Sequence, residues 1–291
     1  VKVPTFDMTP HMNKSRFLLI GFLISFLAQA TDSPTPVPYQ WGVYRPSKDT
    51  AKIVMVDWNS KEGLKRLERS QFKGDFYRLA HFYQTAANPV YATIASAVTV
   101  LNGLRVPKHL VKSQAELEIQ RPKALGGDRV PYPFYSQEIF LNEKTDEIKD
   151  RKLILIRNIT PENENDKESF KPGLGLDDLK AMLEKVYSAK AEVTYGNEDA
   201  KIGTAKLRKT LKRVFNDPNS FLIANFRGDI YGANNEGTMS PLVAYDEKSD
   251  SVLVLDTGAF KNPWYWVPVE AFYKSMVPYG KTQRGYIEVR D

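Results

Sequence analysis

The order of the apolar segments constrains the fold most: helical patterns come first and strand patterns crowd the last third. Residues 221–226, 242–245, 251–255 and 285–289 are short apolar runs rich in β-branched and aromatic side chains, the signature of buried strands. Asp246-Glu247-Lys248-Ser249-Asp250 lies between two of them and reads as a hairpin connection. Upstream, residues 61–69 and 74–81 carry helical patterns. Residues 174–187 form the clearest one, with Asp177 and Asp178 at its start and Leu176, Leu179, Leu183 and Val186 on one face. Residues 53–56 read as a short buried strand. Residues 107–135 and 162–171 read as surface excursions. Residues 91–104 are apolar almost throughout, so periodicity alone does not separate a buried helix from a buried strand. Asn102-Gly103 suits a helix stop, and a central buried helix is predicted there. Helices before strands in one chain point to an α+β domain.

Composition narrows the chemistry. The 291 residues include no cysteine, which excludes disulfides, thiolate metal sites and a cysteine nucleophile. His11, His81 and His109 stand apart, without a second histidine or carboxylate at ligand spacing, so neither a metal nor another cofactor is expected. The formal charge of +6 is spread among interleaved acids and bases. Lys206, Arg208, Lys209, Lys212 and Arg213 have the spacing of the wet face of an amphipathic helix, with no aromatic interleaving, and no nucleic-acid partner is expected.

Residues 1–30 read as a signal-peptide region. Lys14 and Arg16 precede an apolar run over 17–27, and Ala28-Gln29-Ala30 is a small-x-small cleavage site. Eleven residues fall short of the about twenty that span a bilayer. An exported form starting near Thr31, periplasmic or secreted and with no stable membrane anchor, is therefore expected. Residues 31–69 are assigned to an N-terminal extension that begins with Pro34, Pro36, Pro38 and Pro46, and residues 70–291 to the main domain.

Three segments within residues 70–290 together resemble the phytochelatin synthase family. In the first, Phe82-Tyr83-Gln84-Thr85 leads to Pro89-Val90-Tyr91-Ala92-Thr93-Ile94-Ala95-Ser96 and then Val100-Leu101-Asn102, where the family reads Gln, five residues, Cys-Gly, and later Val-Leu-Asn. Gly237-Thr238-Met239-Ser240-Pro241 stands where the family has Gly-His-x-Ser-Pro. Leu255-Asp256-Thr257-Gly258-Ala259-Phe260-Lys261 stands where it has an Asp-x-x-Arg-(Phe/Tyr)-Lys run. The resemblance implies a papain-like α+β fold, with a helical half and an antiparallel β half flanking a cleft. It also implies the activity of a glutathione γ-glutamylcysteinyltransferase. In that chemistry a thiolate at a helix N-terminus attacks glutathione and releases glycine, and the acyl group passes to a second glutathione. Histidine is the base, aspartate orients it, and glutamine donates to the oxyanion.

Carried over position by position, most of that set is missing. The nucleophile position is Ala92, the oxyanion position Ala86 and the base position Thr238, while the orienting acid remains as Asp256. Among positions the resemblance assigns to substrate, an arginine is replaced by Ala259, whereas Lys261 and Arg284 are present. This pattern reads as a pseudoenzyme whose cleft binds glutathione, a γ-glutamyl peptide, another small ligand or a partner protein. The alternative is an active transferase or glutathione hydrolase with a nucleophile other than cysteine. Thr93, Ser96 and Thr99 stand near Ala92, but a hydroxyl needs an adjacent base, and only His81 is near in sequence.

Overall fold

The runs of the last third pair into one antiparallel sheet. The computed structural model describes residues 54–111, 118–120, 129–131, 133–155, 173–197, 199–234, 237–277 and 283–291, with backbone alone at 118–120 and 129–131. Its strands are β1 (Val56–Asp57), β2 (Glu118–Gln120), β3 (Arg129–Pro131), β4 (Lys190–Tyr195), β5 (Ser220–Phe226), β6 (Thr238–Asp246), β7 (Ser251–Val254), β8 (Tyr265–Pro268) and β9 (Gly285–Arg290). Its helices are α1 (Lys61–Arg69), α2 (Gly74–Ala80), α3 (Ala92–Arg105), the short turns α4 (Gln137–Phe140), α5 (Glu143–Asp146) and α6 (Arg151–Leu155), then α7 (Leu176–Lys185), α8 (Ala200–Val214) and α9 (Val269–Lys274). Seven strands run in the order β1-β8-β7-β6-β5-β9-β4, and β2 pairs separately with β3. The expected α+β class is observed.

The strand runs look continuously apolar because both faces of the sheet are covered. Along β5, Phe221 and Ile223 face a core shared with Ile94, Val98 and Leu101 of α3 and Leu179 and Leu183 of α7. Leu222, Ala224 and Phe226 face a second core with Leu207, Leu211 and Val214 of α8 and Phe272 of α9. The same alternation continues through Val252, Leu253 and Val254 of β7 and Tyr265, Trp266 and Val267 of β8. β6 breaks it at a bulge between Leu242 and Ala244, where one strand carries an extra residue against its partner.

The run at 91–104 is helical, and all of its residues from Thr93 to Arg105 are buried. A helix apolar on every side belongs in a core, which is why no amphipathic stripe marked it. α8 is the reverse case. Leu207, Leu211 and Val214 face in, while its bases pair outward: Arg208 with Asp250, Lys212 with Glu247, and Arg213 with Glu288. It packs against α9 at Gly203, where an added Cβ would lie 1.9 Å from the Tyr273 hydroxyl oxygen.

Several boundaries differ from the sequence reading. The strand expected at 53–56 is Val56–Asp57, half-buried because it is a short edge strand against β8. The helix expected over 174–187 is Leu176–Lys185. β1 pairs with the sheet, and α1 is fastened to it by the Trp266 indole, which donates to the Gly63 carbonyl at 3.1 Å. These two elements lie within the stretch assigned to an N-terminal extension. The signal-peptide region and the excursion at 162–171 lie outside the described residues. Among the described residues, no helix is long and apolar enough to cross a membrane.

Candidate functional site

The N-terminus of α3 meets β6, the segment after β7 and the segment after α2. Two hydroxyls fasten this junction. Ser96 Oγ lies 2.8 Å from the Ala92 carbonyl and 2.9 Å from the Met239 carbonyl, and Thr257 Oγ1 lies 3.2 Å from each. The Ala86 N–H donates to the Thr257 carbonyl at 2.8 Å, and the Tyr83 hydroxyl donates to the Asp256 carbonyl at 2.7 Å. Ala86 and Ala92 lie close in sequence, as do Thr238 and Asp256, and the two pairs are far apart. Each of these residues either takes part in one of these bonds or adjoins a residue that does.

Local chemistry explains how α3 begins. Asn88 Oδ1 accepts from the Val90 N–H at 3.0 Å, and the Asn88 carbonyl accepts from the Tyr91 N–H at 3.1 Å, turning the chain into the helix. Tyr91 occupies the N-cap position and makes no side-chain cap, so the positive end of the helix dipole faces the junction. Ala92, half-buried, is the first helical residue. It carries no heteroatom.

The segment holding Ala86 depends on a residue the sequence reading missed. Gln137 accepts from the Ala87 N–H at 2.9 Å and donates to the Thr85 carbonyl at 2.9 Å. Gln84 donates to the Tyr135 carbonyl at 3.0 Å, and Asn102 of α3 donates to that same carbonyl while accepting from the Tyr135 N–H. Gln137 sits at the start of a four-residue helix with no distinguishing pattern, so no local signal marks it.

Asp256 is 1% exposed. Burial pushes its carboxyl upward in pKa, opposed by the Gly258 N–H, the Asn262 amide and the charge of Lys261. Gly258 donates to Oδ1 at 2.8 Å and Asn262 to Oδ2 at 3.1 Å. Asn262, also unmarked in the sequence reading, is itself held by the Asn234 N–H. Lys261 and Ala259 are half-buried beside it, and the Lys261 ammonium lies 5.9 Å from the exposed Phe260 ring.

Arg284 stands just before β9, on the Thr238 side. Its Nη2 would lie 3.8 Å from a Cβ at Gly237, the residue preceding Thr238. It is 8% exposed, and its Nε and Nη1 have no hydrogen-bond partner among the described residues. Burial lowers its pKa, and the nearby Arg227 lowers it further, against the opposing pull of Asp229.

The sequence model of phytochelatin synthase matches residues 49–286. The chain belongs to the phytochelatin synthase family. It is 21% identical over 226 residues to glutathione γ-glutamylcysteinyltransferase 1 of Arabidopsis thaliana, covering 76% of this chain and 38% of that protein. To glutathione γ-glutamylcysteinyltransferase 3 of Lotus japonicus it is 23% identical over 239 residues, covering 80% and 41%. Over a shorter stretch of 72 residues it is 33% identical to the glutathione γ-glutamylcysteinyltransferase of Schizosaccharomyces pombe, covering 24% and 17%. The chain thus spans at most about two fifths of the length of these relatives. Membership implies a papain-like fold, and the seven-stranded antiparallel sheet with its central helix α3 accords with it.

The Ser96 and Thr99 hydroxyls lie at hydrogen-bond distance from backbone carbonyls. His81 is exposed at the end of α2, with its ring edge-to-face on Phe82. Among the described residues, no group of three or more Asp, Glu or His could hold a metal ion.

Proposed function

We propose that this protein is a non-catalytic phytochelatin synthase relative that keeps the cleft between its helical and β parts as a binding site. The ligand class is a small acidic peptide, glutathione or a γ-glutamyl peptide. The observation that carries the reading is Arg284, a buried cation whose Nε and Nη1 lack hydrogen-bond partners among the described residues, beside a junction whose family positions carry neither nucleophile nor base. Buried donors left without acceptors are costly, and an anion reaching Nε and Nη1 would satisfy them. Ala92, Ala86 and Thr238 occupy the nucleophile, oxyanion and base positions without the atoms those roles require. Ala259 leaves Lys261 and Arg284 as the cations available to ligand carboxylates. The reading includes export with residues 1–30 removed, supported by the apolar run and the Ala28-Gln29-Ala30 site.

Calorimetric titration with glutathione and with γ-glutamylcysteine, alongside a glycine-release assay, tests this. Binding without glycine release is the expected result. Absence of binding by both ligands overturns the ligand class. Glycine release with turnover replaces this reading with that of an active enzyme using a nucleophile other than cysteine. N-terminal sequencing of protein recovered outside the producing cell tests export separately.

A further inference from the structure

We infer that Asp75 and Arg78 form a proton-operated latch, which fastens α2 to the corner between α8 and β5 and thereby sets the position of the segment leading into the candidate site. The inference is independent of the ligand proposed above.

Asp75 is 0% exposed. Its Oδ1 accepts from Arg78 Nη2 at 2.6 Å, while its Oδ2 is buried with no hydrogen-bond partner among the described residues. Arg78 reaches on to the Phe215 carbonyl at 3.4 Å and lies 5.8 Å from the centroid of the Phe221 ring. The groups facing Asp75 are Arg78 from its own helix and, from the α8–β5 connection, Asp217. Lys73, just ahead of α2, is turned away and donates to the Leu67 and Glu68 carbonyls. An ionised carboxylate would therefore have one solvating group and one repelling one. Burial, assisted by Asp217, holds the proton on to about 8.

Above that pH the charge needs hydration at Oδ2, which requires the first turn of α2 to part from the corner. The opposite side of α2 communicates with the site. Phe76 packs with its ring centroid 6.1 Å from both Trp58 and Trp264. Trp264 packs edge-to-face on Tyr83 at 4.9 Å, and the Tyr83 hydroxyl holds the Asp256 carbonyl. Leu79 is fully buried against α3 at Gly103. A displacement of α2 therefore moves the aromatic contacts that support segments 83–87 and 256–264.

Hydrogen exchange across residues 74–80, read from pH 6.5 to 9.5 and corrected for intrinsic base catalysis, tests the latch. Tryptophan fluorescence is followed in parallel. In the native chain the corrected exchange is expected to rise about tenfold from pH 7 to 8 and to level off above the midpoint. Asp75→Asn should abolish the rise, and Asp217→Asn, which removes the like charge, should lower the midpoint. An unchanged profile in Asp75→Asn, or no pH dependence in the native chain, overturns the latch. Should Asp75→Asn fail to fold, Asp217→Asn decides: an unmoved midpoint overturns the proposal and a lowered one supports it.

Discussion

The side-chain amide of Asn262 donates to Oδ2 of Asp256 at 3.1 Å, and the Gly258 N–H donates to Oδ1 at 2.8 Å. Both oxygens of this carboxyl are thus engaged within its own loop, and the Ser240 hydroxyl of β6 bonds it as well. Asn262 is in turn fixed by the Asn234 N–H, so the carboxyl organises residues 256–262 and the adjoining turn. In an orienting role Asp256 would instead accept from an imidazole, and position 238 holds a threonine. A residue recognisable by its place in a catalytic motif has here a structural occupation of its own.

Restoring single residues should not restore turnover. Ala92→Cys places a thiol at the positive end of α3, but no imidazole at 238 acts as base or counter-charge. No glycine release from glutathione above background is expected from it. Ala92→Cys with Thr238→His should show slow hydrolysis at most, because an oxyanion donor is absent at Ala86, a loss of about 10²–10³ in rate. The quadruple variant, adding Ala86→Gln and Ala259→Arg, is the first expected to transfer. Robust glycine release by Ala92→Cys alone would show that a working base already faces position 92.

The sequence disclosed the architecture unevenly, for physical reasons. The buried strands β5, β6, β7 and β9 were legible because covering both faces of the sheet makes their sequences continuously apolar. β4 was not, because Lys190 and Glu192 give an edge strand a polar look, and the short β8 was not, because four residues ending at Pro268 carry too little pattern. At the junction, motif spacing assigns family roles to Ala92, Ala86, Thr238 and Asp256, and the segments that carry them meet there. Gln137, Asn262, Ser96 and Thr257 complete that junction through contacts to distant backbone. Such contacts leave no periodicity and no motif behind.

The hydroxyls of Ser96 and Thr257 should be strongly coupled. Each has one proton and the same two carbonyls within reach, those of Ala92 and Met239, so the two hydroxyls compete for the same acceptors and settle by dividing them. Ser96→Ala or Thr257→Val leaves one hydroxyl for two buried acceptors, and each is expected to cost about 1–3 kcal/mol. A double-mutant cycle by urea unfolding should give a coupling energy of at least about 0.5 kcal/mol. Additive losses would mean that the hydroxyls act separately.

Arg284→Met should separate stability from binding. Removing a buried cation with two nitrogens unbonded among the described residues relieves desolvation, so the variant should match the native chain or exceed it by up to about 4 kcal/mol in urea unfolding. The same substitution should abolish any rise in melting temperature produced by glutathione. A marked loss of stability would show that the guanidinium is paired within the fold, and an undiminished rise would remove Arg284 from the ligand site.

Asp75 should impose a pH dependence on stability opposite to that of an ordinary ion-paired aspartate. Its folded-state pKa, about 8, lies above the ordinary aspartate value of 3.8, so between these values the folded chain binds the proton more tightly than the unfolded one. The resulting stabilisation is fully present below about pH 4 and is lost as the pH rises through 8. Further alkalinisation adds no loss, since both states are then ionised. Each tenfold change in proton affinity corresponds to about 1.4 kcal/mol, so the whole effect is on the order of 6 kcal/mol at most, and water entering the opened corner reduces it. The native chain should therefore lose stability from pH 5 to 8.5 in urea unfolding, by about 2 kcal/mol or more. Asp75→Asn keeps the shape and the acceptor for Arg78 but cannot ionise, so its profile over the same range should be flatter by that amount. Parallel profiles for the two proteins would mean that Asp75 is ionised in the fold at neutral pH, held there by Arg78.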